Sequence, residues 1–140
     1  MALAGAGPAD AKRLRSAEAV RAAVVVKVSL GQQQMAVYHW GELVGLWPVS
    51  TARRGKVTPQ GRFSPDFLSR HHRSSRYHNA PMPYSVFFYK HYAIHGTDQV
   101  SRLGRPASAG CIRLHPDNAA VLFSLVRREG KAHTLVEITR

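Results

Sequence analysis

The chain is poor in cysteine and poor in acid. One of its 140 residues is Cys, at position 111. No disulfide can therefore close within the chain, an all-cysteine zinc site is excluded, and core packing alone must hold the fold. Asp and Glu number 8 against 20 Lys and Arg, a formal charge of +12. A surplus of that size attracts polyanions, whether nucleic acid, anionic lipid or anionic wall polymer. Long apolar runs are missing too: no stretch nears the roughly 18 unbroken apolar residues of a membrane helix. An export signal is not evident at the start. Met1 to Pro8 is apolar and short, and Lys12, Arg13 and Arg15 follow that stretch instead of preceding it, the reverse of a secretory leader. On this reading the protein stays inside the cell, or the chain lacks its natural start.

What is present suits one folded domain. The hydrophobic fraction is 44%, and the length accommodates a single core. Residues 1–23 read as an N-terminal leader, helical or disordered, with Asp10 as a candidate cap for Ala-rich sequence up to Ala23. From Val24 to Leu30 the chain is β-branched and partly alternating, which predicts a strand. Gly31 to Gln33 is a turn signal, Gln34 to His39 a second strand, Trp40 to Glu42 the next turn and Leu43 to Val49 a third strand, giving an antiparallel meander. A short strand is expected over Arg62 to Phe67. Ser69 to Asn79 has no apolar period and reads as an exposed basic loop. Ser85 to Tyr89 and His91 to His95 are strand-like, and Gly96 to Gly110 is a long Gly, Pro and Ser loop of the kind that carries function in compact domains. His115 and Pro116 open a helix with Ala120, Leu122, Phe123, Leu125 and Val126 as apolar positions and Gly130 at its end. Thr134 to Ile138 is the closing strand. The sum over residues 24–140 is a mainly β domain with one or two helices.

Cys111 stands at the end of the Gly96 to Gly110 loop, a poor place for a small core residue. His95 lies upstream at the end of a predicted strand. Thiol chemistry needs a thiolate, which an imidazole supplies by lowering the thiol pKa or taking its proton. A depressed pKa is therefore expected for Cys111. Backbone N–H groups of Gly110 and Cys111 are candidate donors to a developing oxyanion. The loop containing His71, His72 and His78 lacks clean metal-ligand spacing and reads as solvated. Neither a recognition helix nor a stacking sheet accompanies its basic residues, so no nucleic-acid partner is expected.

The runs His95-Gly96-Thr97, Leu103-Gly104-Arg105-Pro106 and Ser108-Ala109-Gly110-Cys111-Ile112-Arg113-Leu114 together resemble the signature of the L,D-transpeptidase catalytic domain, also called the YkuD domain. Gln34 to Tyr38 with Leu43-Val44, Pro48-Val49-Ser50-Thr51, Thr58-Pro59-Gln60-Gly61, Met82-Pro83-Tyr84 and Leu135 to Ile138 resemble further segments of that family, so the likeness spans roughly residues 24 to 139. The resemblance implies a β-sandwich domain with Cys111 as nucleophile and His95 as general base, oriented by the Gly96 carbonyl. Gly110, Ser108, Arg113 and Tyr84 are implied as oxyanion or substrate contacts, with a guanidinium at 113 suited to a substrate carboxylate. It implies acyl transfer from a peptidoglycan stem peptide to an amine acceptor through a thioester, without cofactor or metal, by a monomer in the periplasm or cell envelope, where the net charge would also favour anionic wall polymer. Hydrolysis of the same bond, by a carboxypeptidase or amidase, and a non-catalytic basic wall-binding module are the alternatives. The chain departs from the family pattern at Ala109, where many members carry His, at Thr51-Ala52-Arg53-Arg54-Gly55, where Gly more often follows the Thr, and in the basic run Ser69 to His78.

Overall fold

The computed structural model describes residues 22–140. The expected N-terminal leader lies outside the described residues, save for Ala22 and Ala23. Among the described residues, nine strands form two sheets. The first contains β1 (Val24–Ser29), β2 (Gln34–His39), β3 (Glu42–Pro48), β4 (Gly61–Phe63) and β9 (Thr134–Thr139), in the order β3-β2-β1-β9-β4. The second contains β5 (Phe67–Arg73), β6 (Pro81–Tyr89), β7 (Tyr92–Gly96) and β8 (Ile112–Leu114), in the order β5-β6-β7-β8. Two pairings are parallel, β1 with β9 and β7 with β8; the other ladders are antiparallel.

The meander β1-β2-β3 matches its sequence pattern. Val24, Val26 and Val28 alternate into the core with Met35 and Val37 of β2 and with Val136 and Ile138 of β9. From the second sheet Val86, Phe88, Ile94, Ile112 and Leu114 join them. The helix α1 (Pro116–Glu129) packs on β6 and β7. It begins with Pro116, whose missing N–H costs nothing there, and the His115 ring nitrogen accepts the Asp117 N–H at 3.1 Å. Ala119, Leu122, Phe123 and Val126 supply its buried stripe. Gly130, at φ 102°, ends it. His39 and Glu129 tie the end of β2 to the end of this helix at 2.8 Å.

Two expectations about elements are corrected. Ser69 to Asn79 is not a loop throughout, because Phe67–Arg73 forms β5, paired through His71 with Pro83 and through Arg73 with Pro81. As the edge of its sheet, β5 borders solvent and can carry Arg and His on both faces, so no apolar alternation marks it. The strand expected over Arg62 to Phe67 is split around the buried Pro65: Phe63 ends β4 in one sheet and Phe67 begins β5 in the other.

Alternation along β7 sets the direction of its histidine. Ile94 points inward to the main core, so Ala93 and His95 point to the opposite face of the sheet. On that outer face Met82, Phe87 and Ala93 make a second small apolar cluster, and Cys111 packs against it.

Candidate active site

The parallel pairing of β7 and β8 brings the two chemical side chains to one face. Ile94 is opposite Ile112 and His95 is opposite Arg113. Cys111, two residues before Arg113, therefore faces the same side as His95, one row along. A cavity of about 250 Å³ opens over this face, and Cys111, His95, Arg113, Ser108, Ala109, Met82 and Tyr92 are among its lining residues. The segment from Thr97 to Gly110, irregular except for a 3₁₀ turn at Val100–Arg102, contributes Thr97, Asp98, Gln99, Ser108 and Ala109 to the lining.

His95 is buried, 7% exposed, and its Nδ1 lies 2.7 Å from the Gly96 carbonyl. A carbonyl only accepts, so Nδ1 carries the proton and donates. In the neutral ring Nε2 is then left with a free lone pair. Burial lowers the pKa of His95 to about 4, against the opposing effect of the Gly96 hydrogen bond. At neutral pH the side chain is an uncharged base of defined tautomer. Gly96 is needed for more than its carbonyl. A Cβ there would lie 3.1 Å from the Pro116 Cα and 3.2 Å from the Pro83 ring.

Cys111 is partly buried, and its Sγ is 3.9 Å from the His91 carbonyl. The expected depression of the thiol pKa is not found. Burial pushes it up, and the Ala93 backbone hydrogen bond and the Arg113 charge offset this only in part. The reason is physical: a thiolate loses hydration against Met82, Phe87 and Ala93, and the imidazole that shares its cavity is neutral and offers no compensating charge.

Short hydrogen bonds fix the backbone around the thiol. The Ser108 hydroxyl donates to the Cys111 carbonyl at 2.6 Å and accepts the Gly110 N–H at 3.0 Å. Thr58 Oγ1 donates to the Gly110 carbonyl at 2.8 Å and accepts the Ala52 N–H at 3.0 Å. Thr51 accepts the Ala107 and Ser108 amides through its carbonyl, and the buried Gln33 holds Thr51 by both side-chain amide atoms. Gly110 has φ 140°, and a Cβ there would come within 2.7 Å of the Tyr92 ring and 2.8 Å of the Val57 carbonyl oxygen.

Of the residues singled out from the sequence, Cys111, His95, Ser108 and Arg113 converge on the cavity, and Gly96 and Gly110 shape it. Two assignments change. The Gly110 N–H is already engaged by Ser108 and is not a free oxyanion donor, which leaves the Cys111 N–H from the original pair. Tyr84 does not line the cavity. With φ 55° it turns to the helix side, where its ring meets Phe123 edge-on at 5.6 Å and Arg70 lies over it. Met82, from the same motif, reaches the cavity instead. Thr58 and Gln33 were not singled out as site supports. Thr58 stood in the Thr-Pro-Gln-Gly run, whose side-chain role a turn reading conceals, and Gln33 stood in a turn signal. Arg113 donates to Gln99 at 3.0 Å. Burial lowers its pKa from the usual arginine value, and Arg102 and Arg53 crowd it with like charge.

A two-sheet β domain places a cysteine and a neutral histidine in one cavity, and known proteins share the fold. An L,D-transpeptidase from Mycobacterium tuberculosis H37Rv superposes with a TM-score of 0.75 at 21% identity, over 84% of this chain and 58% of that one. LD transpeptidase LdtMt1, solved in complex with imipenem, superposes with a TM-score of 0.74 at 24% identity, over 84% of this chain and 59% of that one. In sequence, the protein named as L,D-transpeptidase YkuD in Bacillus licheniformis is 30% identical over 105 residues, 72% of this chain and 59% of the relative. The YkuD family model, described as the L,D-transpeptidase catalytic domain, matches residues 23–138. The chain belongs to the L,D-transpeptidase catalytic domain family. It spans about three fifths of the length of the curated relatives it matches.

Proposed function

We propose that the chain is a cysteine-dependent L,D-transpeptidase acting on peptidoglycan stem peptides in the cell envelope. The observation that carries this reading is the cavity shared by Cys111 and a His95 whose tautomer is fixed by the Gly96 carbonyl. His95 Nε2 takes the thiol proton as Sγ attacks the carbonyl carbon of the third stem residue. The C–S bond forms, and the carbonyl electrons move to oxygen, where the Cys111 N–H is the backbone donor. As the oxyanion collapses, the C–N bond to the terminal D-alanine breaks and the leaving amine takes the proton from His95. The thioester on Cys111 is then attacked by an acceptor amine, which gives its proton to His95. The proton returns to sulfur as the new amide is released.

The family match and the solved relatives support the reaction class. The uncharged resting pair supports proton transfer during attack in place of a standing thiolate–imidazolium pair. Domain limits of 24–140 and the substrate roles of Ser108 and Arg113 belong to the same proposal. No step calls for a metal or cofactor.

The test is mass spectrometry of the protein after incubation with a disaccharide-tetrapeptide. A covalent adduct of the donor lacking D-alanine, absent in Cys111→Ala, is expected. Imipenem should label the same residue stoichiometrically. Absence of both adducts overturns the proposal and favours a wall-binding module. Adducts that resolve only to water in saturating amine assign a hydrolase.

A further inference from the structure

The cavity holds more positive charge than the proposed chemistry uses. Arg53, Arg76 and Arg113 all line it, and Asp98 is the one carboxylate among the described lining residues. Three guanidiniums against one carboxylate leave a surplus of two charges. The histidines add little to this at neutral pH. His95 is uncharged, and desolvation, then Arg76 and Lys90, lower the pKa of His91.

No ion pair among the described residues involves any of the three arginines. The one side-chain acceptor met by Arg113 is the neutral amide of Gln99. Arg102 stands close enough to Arg113, as does Arg53, to oppose its charge. Arg53 and Arg76 are exposed cations among the cavity's lining residues, and Arg113 is half-buried. The main chain at both exposed positions is fixed: the backbone N–H of Arg53 donates to the Ser108 carbonyl at 2.8 Å, and that of Arg76 to the Ser74 hydroxyl at 3.1 Å. Like charges fixed around one concavity raise its potential and are stabilised by an anion that enters it. Guanidinium groups match carboxylates in particular, because two parallel N–H donors meet two oxygens.

Any tetrapeptide donor brings one carboxylate on its leaving residue, which meets one surplus charge and leaves another. Resting on the stem-peptide reading, we infer that this cavity selects donors whose internal carboxyl groups are free over the same peptides with those groups amidated, and that Arg53 and Arg76 are the discriminating residues. An amide keeps the shape of the acid and removes its charge, so shape cannot supply the distinction. Arg53 and Arg76 lie in Thr51 to Gly55 and Ser69 to His78, two of the segments where this chain departs from its family's pattern.

The experiment compares two synthetic stem tetrapeptides, identical except that internal carboxyl groups are free in one and primary carboxamides in the other. Binding of each to the full chain carrying Cys111→Ala is measured by calorimetry, which removes turnover from the readout. The free acid should bind about three- to tenfold more tightly, the size expected of one or two exposed charge pairs. The ratio should fall toward one in Arg53→Gln/Arg76→Gln and shrink as salt is raised. Both arginines are exposed, so the double variant should keep the melting temperature of its parent. Equal affinities, an amide preference, or no measurable binding of either peptide at millimolar concentration overturns the inference. So does a preference that survives the double substitution. Selective binding without any acyl-enzyme in the Cys111 protein would instead sink the transpeptidase reading and leave the charge selection standing.

Discussion

At Cys111 and His95 the decisive term is desolvation. It acts on two groups of opposite kind and moves both toward their neutral forms: the thiol upward, the imidazole down to about 4. The resting pair is thiol and imidazole. Iodoacetamide labelling of Cys111 should therefore have its midpoint above the ~8.5 of a free cysteine; a midpoint at or below that value would contradict the neutral pair. Turnover has a different profile, because the proton moves during attack. Between about pH 5 and 8 kcat/KM should stay level, and it should fall as pH drops through the His95 value near 4, where the base is lost. His95→Gln should lower kcat by roughly 10²- to 10⁴-fold, the usual contribution of a positioned base.

At the scale of the elements, the loop leading to Cys111 is held by its neighbours rather than by its own secondary structure. Ser108 is 1% exposed and engages both the Cys111 carbonyl and the Gly110 amide. Ser108→Ala should cost about 1–3 kcal/mol by leaving buried groups unpaired, and should slow imipenem acylation more than it lowers the melting temperature. Gly110→Ala is harsher. Its Cβ meets a backbone oxygen at 2.8 Å at a φ of 140°, a clash no rotamer change relieves. Loss of both labelling and several degrees of melting temperature is expected. Fluorescence melts alongside a labelling time course check the pair.

The same scale explains which features are legible in the sequence. The meander, α1 and β9 are readable because a buried face imposes a period. β5 is hidden because an edge strand needs none. Tyr84 is misplaced because it packs on the core side with Val86 and Phe88, a direction that the short Met-Pro-Tyr likeness does not show. The Gly110 amide looks free because the group that consumes it is a side chain, Ser108, whose direction the sequence does not show. Cys111 and His95 come to one cavity as their motif suggests, but the direction of the thiol pKa depends on burial against Met82, Phe87 and Ala93, which no local pattern records.

At the scale of the molecule, the formal charge of +12 acts at a distance. Binding of the Cys111→Ala chain to purified sacculi should weaken steeply between about 50 and 500 mM NaCl, because screening shortens from more than ~10 Å to a few. Salt-insensitive pelleting would assign the interaction to contacts other than charge.

Stability, too, is a property of the whole, and His95 couples it to pH. The unfolded chain takes up a proton on this histidine near pH 6.5, whereas the folded chain resists until about 4. Between those values the unfolded state binds more protons, so stability falls as pH falls. The contribution is complete above about 6.5 and is lost progressively toward 4. A depression of this size corresponds to roughly 3 kcal/mol over the window. His95→Gln removes the titration. Its urea midpoint should therefore change less between about pH 7 and 4.5 than that of the native chain. The carboxylate of Glu129, held low chiefly by the His39 hydrogen bond, is common to both proteins, so it drops out of the difference. Parallel pH dependences in the two chains would show that the histidine is not held neutral by the fold. The level turnover profile expected above about pH 5 would fail with it.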